Sequence, residues 1–102
     1  MSPNNLIQIL DTDEYYHRLI QQGESARVEF KTSFQKELIE TLVAFANSKG
    51  GLVLVGVSDA GQIMGVDIKA ETLQGWVNQC KQNTTPSVIP DIEVIVFYRQ
   101  TQ

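Results

Sequence analysis

The chain predicts an α+β (mixed α/β) domain, with three helices packed on a small mixed sheet in the order α-β-α-β-β-α-β. Three observations predict it. Arg27 to Lys31 alternates charged and apolar residues, the period of a strand with one buried face. Leu52-Val53-Leu54-Val55-Gly56-Val57 is apolar throughout, which suits a central strand buried on both sides. Leu38, Ile39, Leu42, Val43, Phe45 and Ala46 recur at helical spacing, as do Leu73, Trp76, Val77 and Cys80.

Each element has its own signal. Leu6, Ile7, Ile9 and Leu10 form an apolar lead-in. Asp11 and Glu14 have the spacing of a capping box, so a helix is expected over about 12–22, closed by Gly23. In the strand at 27–31, Val28 and Phe30 point one way while Arg27, Glu29 and Lys31 point the other. Ser33 is the expected N-cap of a helix from Phe34 to Asn47, stopped by Gly50-Gly51. After the strand at 52–57, Ser58-Asp59-Ala60-Gly61 reads as a turn and 62–66 as the returning strand of a hairpin. A third helix is expected over about 70–82. Thr84-Thr85-Pro86 and Ile89-Pro90 mark a loop, and Ile92 to Tyr98 a last strand. That strand has no hairpin partner after it. Two readings are open: residues 1–102 are an N-terminal fragment of a longer product, or the strand is an edge that closes the domain.

A chain of 102 residues, 42% hydrophobic and 20% charged, is the size and composition of one globular domain with a modest core. No apolar run approaches the ~20 residues that cross a bilayer, so no membrane association is expected. Cys80 is the one cysteine, which excludes an internal disulfide. With no export signal it points to the cytoplasm, and on an apolar helix face it reads as inert core. The net charge of -4 disfavours broad nucleic-acid binding, whose affinity comes from neutralised phosphates. A small basic face remains compatible with an acidic remainder.

The charged strand face carries the candidate chemistry. Glu29 and Lys31 lie two residues apart on one face, ~7 Å along the strand. Glu24 precedes the strand, and Asp59 comes just after the apolar one. If the two strands are neighbours running the right way, three carboxylates and one cation converge. Such a set suits Mg²⁺ or Mn²⁺, which prefer oxygen ligands, and Lys31 would steady the same phosphate charge. The same residues also fit a solvated strand face and an ordinary turn aspartate. Arg27, Lys31, Lys36 and Lys49 are the candidate phosphate contacts. Ser48-Lys49-Gly50-Gly51 lacks the spacing of a Walker A loop and comes after a helix instead of opening one, so no nucleoside triphosphate is expected. His17 has no Cys or His partner nearby, which argues against zinc and for a packing histidine. Trp76 lies on the apolar stripe and reads as core. Asn47 either caps locally or reaches the carboxylates.

The motifs also occur together. Glu24-Ser25-x-x-Val28-Glu29-Phe30-Lys31, Ala44-Phe45-Ala46-Asn47-x-x-Gly50-Gly51, an apolar strand ending Gly56-Val57-x-Asp59, and Gly61-x-x-x-Gly65-Val66 resemble the Schlafen AlbA-type (AlbA_2) domain. The resemblance is close over about 22–67 and general beyond. It implies a DNA-binding domain of the kind found at the N-terminus of bacterial transcriptional regulators. Older labels for such domains named an ATPase or helicase, which the missing Walker A motif does not support. In animal Schlafen proteins related paired domains cleave RNA with a metal-bound acidic triad. The matching positions are Glu24, Glu29 and Asp59, with Lys31 beside them. The chain departs in holding a single domain and in its acidity, so a basic groove would need a homo-oligomer or a further domain. The family domain usually continues further, which favours the fragment reading.

Three functions are therefore expected to compete: a DNA- or RNA-binding module of a transcriptional regulator, a metal-dependent nuclease domain, and a dimerisation domain without activity.

Overall fold

The computed structural model describes residues 14–96. The apolar lead-in, Asp11 of the expected capping box and the end of the expected last strand lie outside them. Five elements alternate. Helix α1 covers 14–22, strand β1 Val28–Lys31, helix α2 Lys36–Ala46, strand β2 Leu52–Val55 and helix α3 Thr72–Gln82. The class is mixed α+β, three helices with a two-stranded sheet.

β1 and β2 pair in parallel, with Val28 opposite Leu52 and Lys31 opposite Val55. A parallel pair needs a crossover, and α2 supplies it. Phe30 anchors the core, 1% exposed, with Ile20 of α1 and Val57 beyond β2; Val28, Leu54 and Ile63 pack around them. The alternation at 27–31 therefore has its expected effect. Its apolar face is the core, and its charged face is the other one.

Several expectations need correction. The run at 52–57 is not a fully buried central strand: Leu52 to Val55 are each half-buried, and among the described residues β2 pairs with β1 alone. The returning strand at 62–66 is reduced to one antiparallel bridge, Val57 to Ile63. Chain reversal there is tight. The Ser58 N–H donates to the Gln62 carbonyl at 2.9 Å, and the Gly61 N–H to the Ser58 carbonyl at 2.9 Å. Residues 92–96 carry no strand pairing among the described residues. Helix α2 starts two residues later than expected, capped by Gln35 instead of Ser33 and with no side-chain cap bond. It ends at Ala46, with Asn47 at the C-cap position and its N–H donating to the Val43 carbonyl at 3.0 Å. His17 is exposed and does not pack in the core.

Two glycines set the path of the chain beyond β2. Gly56 has φ +92°, and a Cβ there would lie 2.9 Å from the Gly65 carbonyl carbon. The Gly56 carbonyl accepts from the N–H groups of Met64 and Gly65 at 2.7 and 2.9 Å. The chain turns back on itself at backbone contact, which only glycine allows.

Candidate functional site

The parallel pairing decides the site. The carboxyl ends of β1 and β2 lie side by side, so the turn after β2 starts next to Lys31. The Lys31 carbonyl accepts from the N–H groups of Gly56 and Val57 at 2.6 and 3.2 Å. The turn that carries Asp59 is thus tied to the end of the strand that carries Glu29 and Lys31. Lys31 Nζ lies 3.8 Å from Glu29 Oε1, an ion pair about one-third exposed at each partner. Screening by water leaves such a pair little net energy.

Glu24 has a structural task that spacing did not reveal. Its Oε2 accepts the Phe30 N–H at 3.0 Å. Arg27 and Lys31 use their carbonyls toward β2, so Phe30 points its N–H to the opposite edge of β1. That edge is closed by Ser25, bridged to Val28, and by the Glu24 carboxylate. The signal was the turn before the strand. A carboxylate a few residues upstream of an edge strand is a local acceptor for its free amide.

Burial holds the Glu29 carboxyl above the usual carboxylate range. The negative charge of Glu24 adds to this, Lys31 opposes it, and a hydrogen bond with Glu24 and the charge of Asp59 push the same way as burial. The three acids and Lys31 named from the sequence therefore share one electrostatic neighbourhood. Their donor set suits a hard divalent cation. Their arrangement does not hold one: among the described residues no three His, Cys, Asp or Glu side chains are grouped closely enough for an ion.

The four basic candidates divide. Arg27 and Lys49 meet where the strands begin, with Arg27 Nη2 donating to the Lys49 carbonyl. Lys31 and Lys36 stand at the other end, flanking the turn from β1 into α2. The first turn of α2 begins at Lys36 and carries no side-chain cap bond, though its Leu38 N–H donates to the Gln35 carbonyl at 3.0 Å. Glu37 in the same turn offsets part of that charge. Arg27, Lys36 and Lys49 are exposed, and Lys31 is half-buried.

Trp76 stacks on Phe34, with ring centroids 4.8 Å apart and an interplanar angle of 5°. Both rings are half-buried, so Trp76 packs within the protein as expected. Cys80 is fully buried, and burial raises its thiol, as suits an inert position. No helix among the described residues is long and apolar enough to cross a membrane.

The family model described as Schlafen, AlbA_2 matches residues 24–101, most of the chain. The chain belongs to this family. The match begins at Glu24, the carboxylate that closes the β1 edge, and it spans the carboxylate neighbourhood and all four basic candidates. The AlbA_2 match is thus a match to the described sheet and its connections together. No solved structure matches the chain.

Proposed function

We propose that this AlbA_2 domain binds nucleic acid, DNA in the first instance, as part of a bacterial transcriptional regulator. The family match over residues 24–101 carries the reading. Chemistry at the end of β1 supports it. Lys31 and Lys36 offer cationic groups to a phosphate, the N–H groups of Lys36 and Glu37 at the start of α2 offer backbone donors, and Lys49 adds an exposed charge at the other end. Arg27 is the weaker contact, because its guanidinium already serves the Lys49 carbonyl. A basic groove large enough for a duplex needs a second copy, so the binding form is a homo-oligomer.

The second reading is a metal-dependent nuclease using Glu24, Glu29 and Asp59 with Lys31. One observation favours it: Glu29 senses both other acids. The side chains would have to draw in around Mg²⁺ or Mn²⁺, since they do not form such a cage here.

One experiment separates these. Labelled tRNA, single-stranded DNA and duplex DNA are incubated with the domain, with Mn²⁺ or with EDTA, and read on native and denaturing gels. Binding predicts a salt-sensitive shift that survives EDTA, weakened by Lys31→Ala and Lys36→Ala, with intact substrate. Cleavage that needs Mn²⁺ and disappears in Glu29→Ala replaces that reading with the nuclease. Intact substrate without a shift at any protein concentration sinks both.

A further inference from the structure

Arg27 is held at its backbone from two sides. Its N–H donates to Ser25 Oγ at 3.3 Å, and its carbonyl accepts the Leu52 N–H at 2.8 Å. From this fixed point the guanidinium crosses to the turn between α2 and β2. There Nη2 donates to the Lys49 carbonyl, 22 residues along the chain. Among the described residues it is the one donor to that carbonyl.

The rest of the turn is built on Phe45. The Phe45 carbonyl accepts from the N–H groups of Ser48 and Gly50 at 3.1 and 2.9 Å, and from the Ser48 hydroxyl at 3.1 Å. Gly51 lies against the Phe45 ring, where a Cβ would stand 2.5 Å from Cγ. These contacts secure the residues on either side of Lys49 and leave Lys49 itself to Arg27. The last turn of α2 has no basic residue, so Arg27 also brings a cation to the helix end where partial negative charge collects. The two cations differ in what they have left to offer. The Arg27 head is committed to a carbonyl. The Lys49 side chain is exposed and has no ion-pair partner among the described residues.

We propose that Arg27 is a positioning residue: it latches the turn through the Lys49 carbonyl and so presents the Lys49 ammonium to a phosphate. This rests on the nucleic-acid reading and refines it, since Arg27 then acts on the ligand through Lys49 and not by contact. Two positive residues at this end of the sheet would neutralise one phosphate, not two.

A double-mutant cycle on the full chain tests it. Arg27→Met keeps the side-chain stem and removes the donors; it is compared with Lys49→Ala and with both changes together. The probe is whichever of labelled duplex DNA, single-stranded DNA and tRNA the unaltered chain binds most tightly, titrated over a range of salt. Each single variant is expected to weaken binding roughly 3–10-fold at about 0.1 M salt and to lower the salt slope by about one. The double variant is expected to bind no worse than Lys49→Ala alone. Losses that multiply in the double variant overturn the proposal, because Arg27 then contacts phosphate itself or supports the whole domain. Either single variant binding like the unaltered chain overturns it too. A second measurement needs no nucleic acid. Backbone order parameters from NMR relaxation at Lys49 and Gly50 should fall in Arg27→Met from about 0.85 to below about 0.6, while α3 stays rigid. Unchanged order in that turn overturns the latch even where binding weakens. An unaltered chain that binds none of the three probes is a separate result: it removes the nucleic-acid reading, and this role of Arg27 with it.

Discussion

At the residue scale, Glu24 and Glu29 have different jobs despite sharing one neighbourhood. Glu24 completes the backbone bonding of β1 through Phe30. Glu24→Ala leaves that part-buried N–H without its acceptor and is expected to cost about 1–2 kcal/mol by denaturant unfolding. Glu24→Gln keeps an acceptor oxygen and is expected to restore most of the loss. Equal losses in both would mean that the charge, and not the hydrogen bond, matters. Glu29 is held with its proton affinity raised, by burial first and then by Glu24 and Asp59. A carboxyl raised in the folded state burdens folding once it ionises. The burden is absent below its unfolded range and complete above its folded value. Glu29→Gln is therefore expected to raise Tm at pH 7 by roughly 1–2 °C, even though it gives up the partly exposed Lys31 pair. That gain should fade as the pH falls through the raised folded value toward the ordinary glutamate range, and be gone below about 4. A Tm difference that is flat from pH 7 to about pH 3.5 would contradict the assignment.

At the element scale, the sharp return after β2 does more than the missing hairpin strand would have done. Gly56 hangs from the Lys31 carbonyl, takes φ +92° and meets Gly65 backbone to backbone. Any side chain at Gly56 strains the turn and collides with Gly65. Gly56→Ala is expected to cost ~2 kcal/mol or more, read as a lower denaturant midpoint. The same change should displace Asp59 from Glu29 and lower the Glu29 pKa in an NMR titration. A pKa that stays put would show that the turn does not position Asp59. Crossover helix α2 contributes the second feature, a first turn that opens on Lys36 without a side-chain cap.

At the scale of the whole molecule, the proposed phosphate binding has to coexist with a net charge of -4. The resolution lies in distribution. Four of the eight cations, Arg27, Lys31, Lys36 and Lys49, stand toward the two ends of one short parallel pair, while two acids of that region are partly spent, Glu24 on a backbone amide and Glu29 on Lys31. Few phosphates are then neutralised per domain. Affinity should fall with salt on a shallow slope, and Lys31→Ala or Lys36→Ala should each reduce that slope by about one. A steep slope unchanged by both would place the contact elsewhere on the molecule.

The residues alone determined the class of fold and most of its elements, because periods of 2 and 3.6 record which faces are buried. Val28 and Phe30, the stripe of α2 and the stripe of α3 were legible for that reason. The motif glycines and acids were legible as a family pattern. Tertiary structure decided the rest. Apolarity on both faces did not make β2 central: a neighbour on each side is a fact of pairing, and the sequence of one strand does not state its partners. That the turn carrying Asp59 starts beside Lys31 depended on β1 and β2 running parallel, which no spacing encodes. The separation of Arg27 and Lys49 from Lys31 and Lys36 arose the same way, since residues far apart in the chain become neighbours only when a strand register places them side by side.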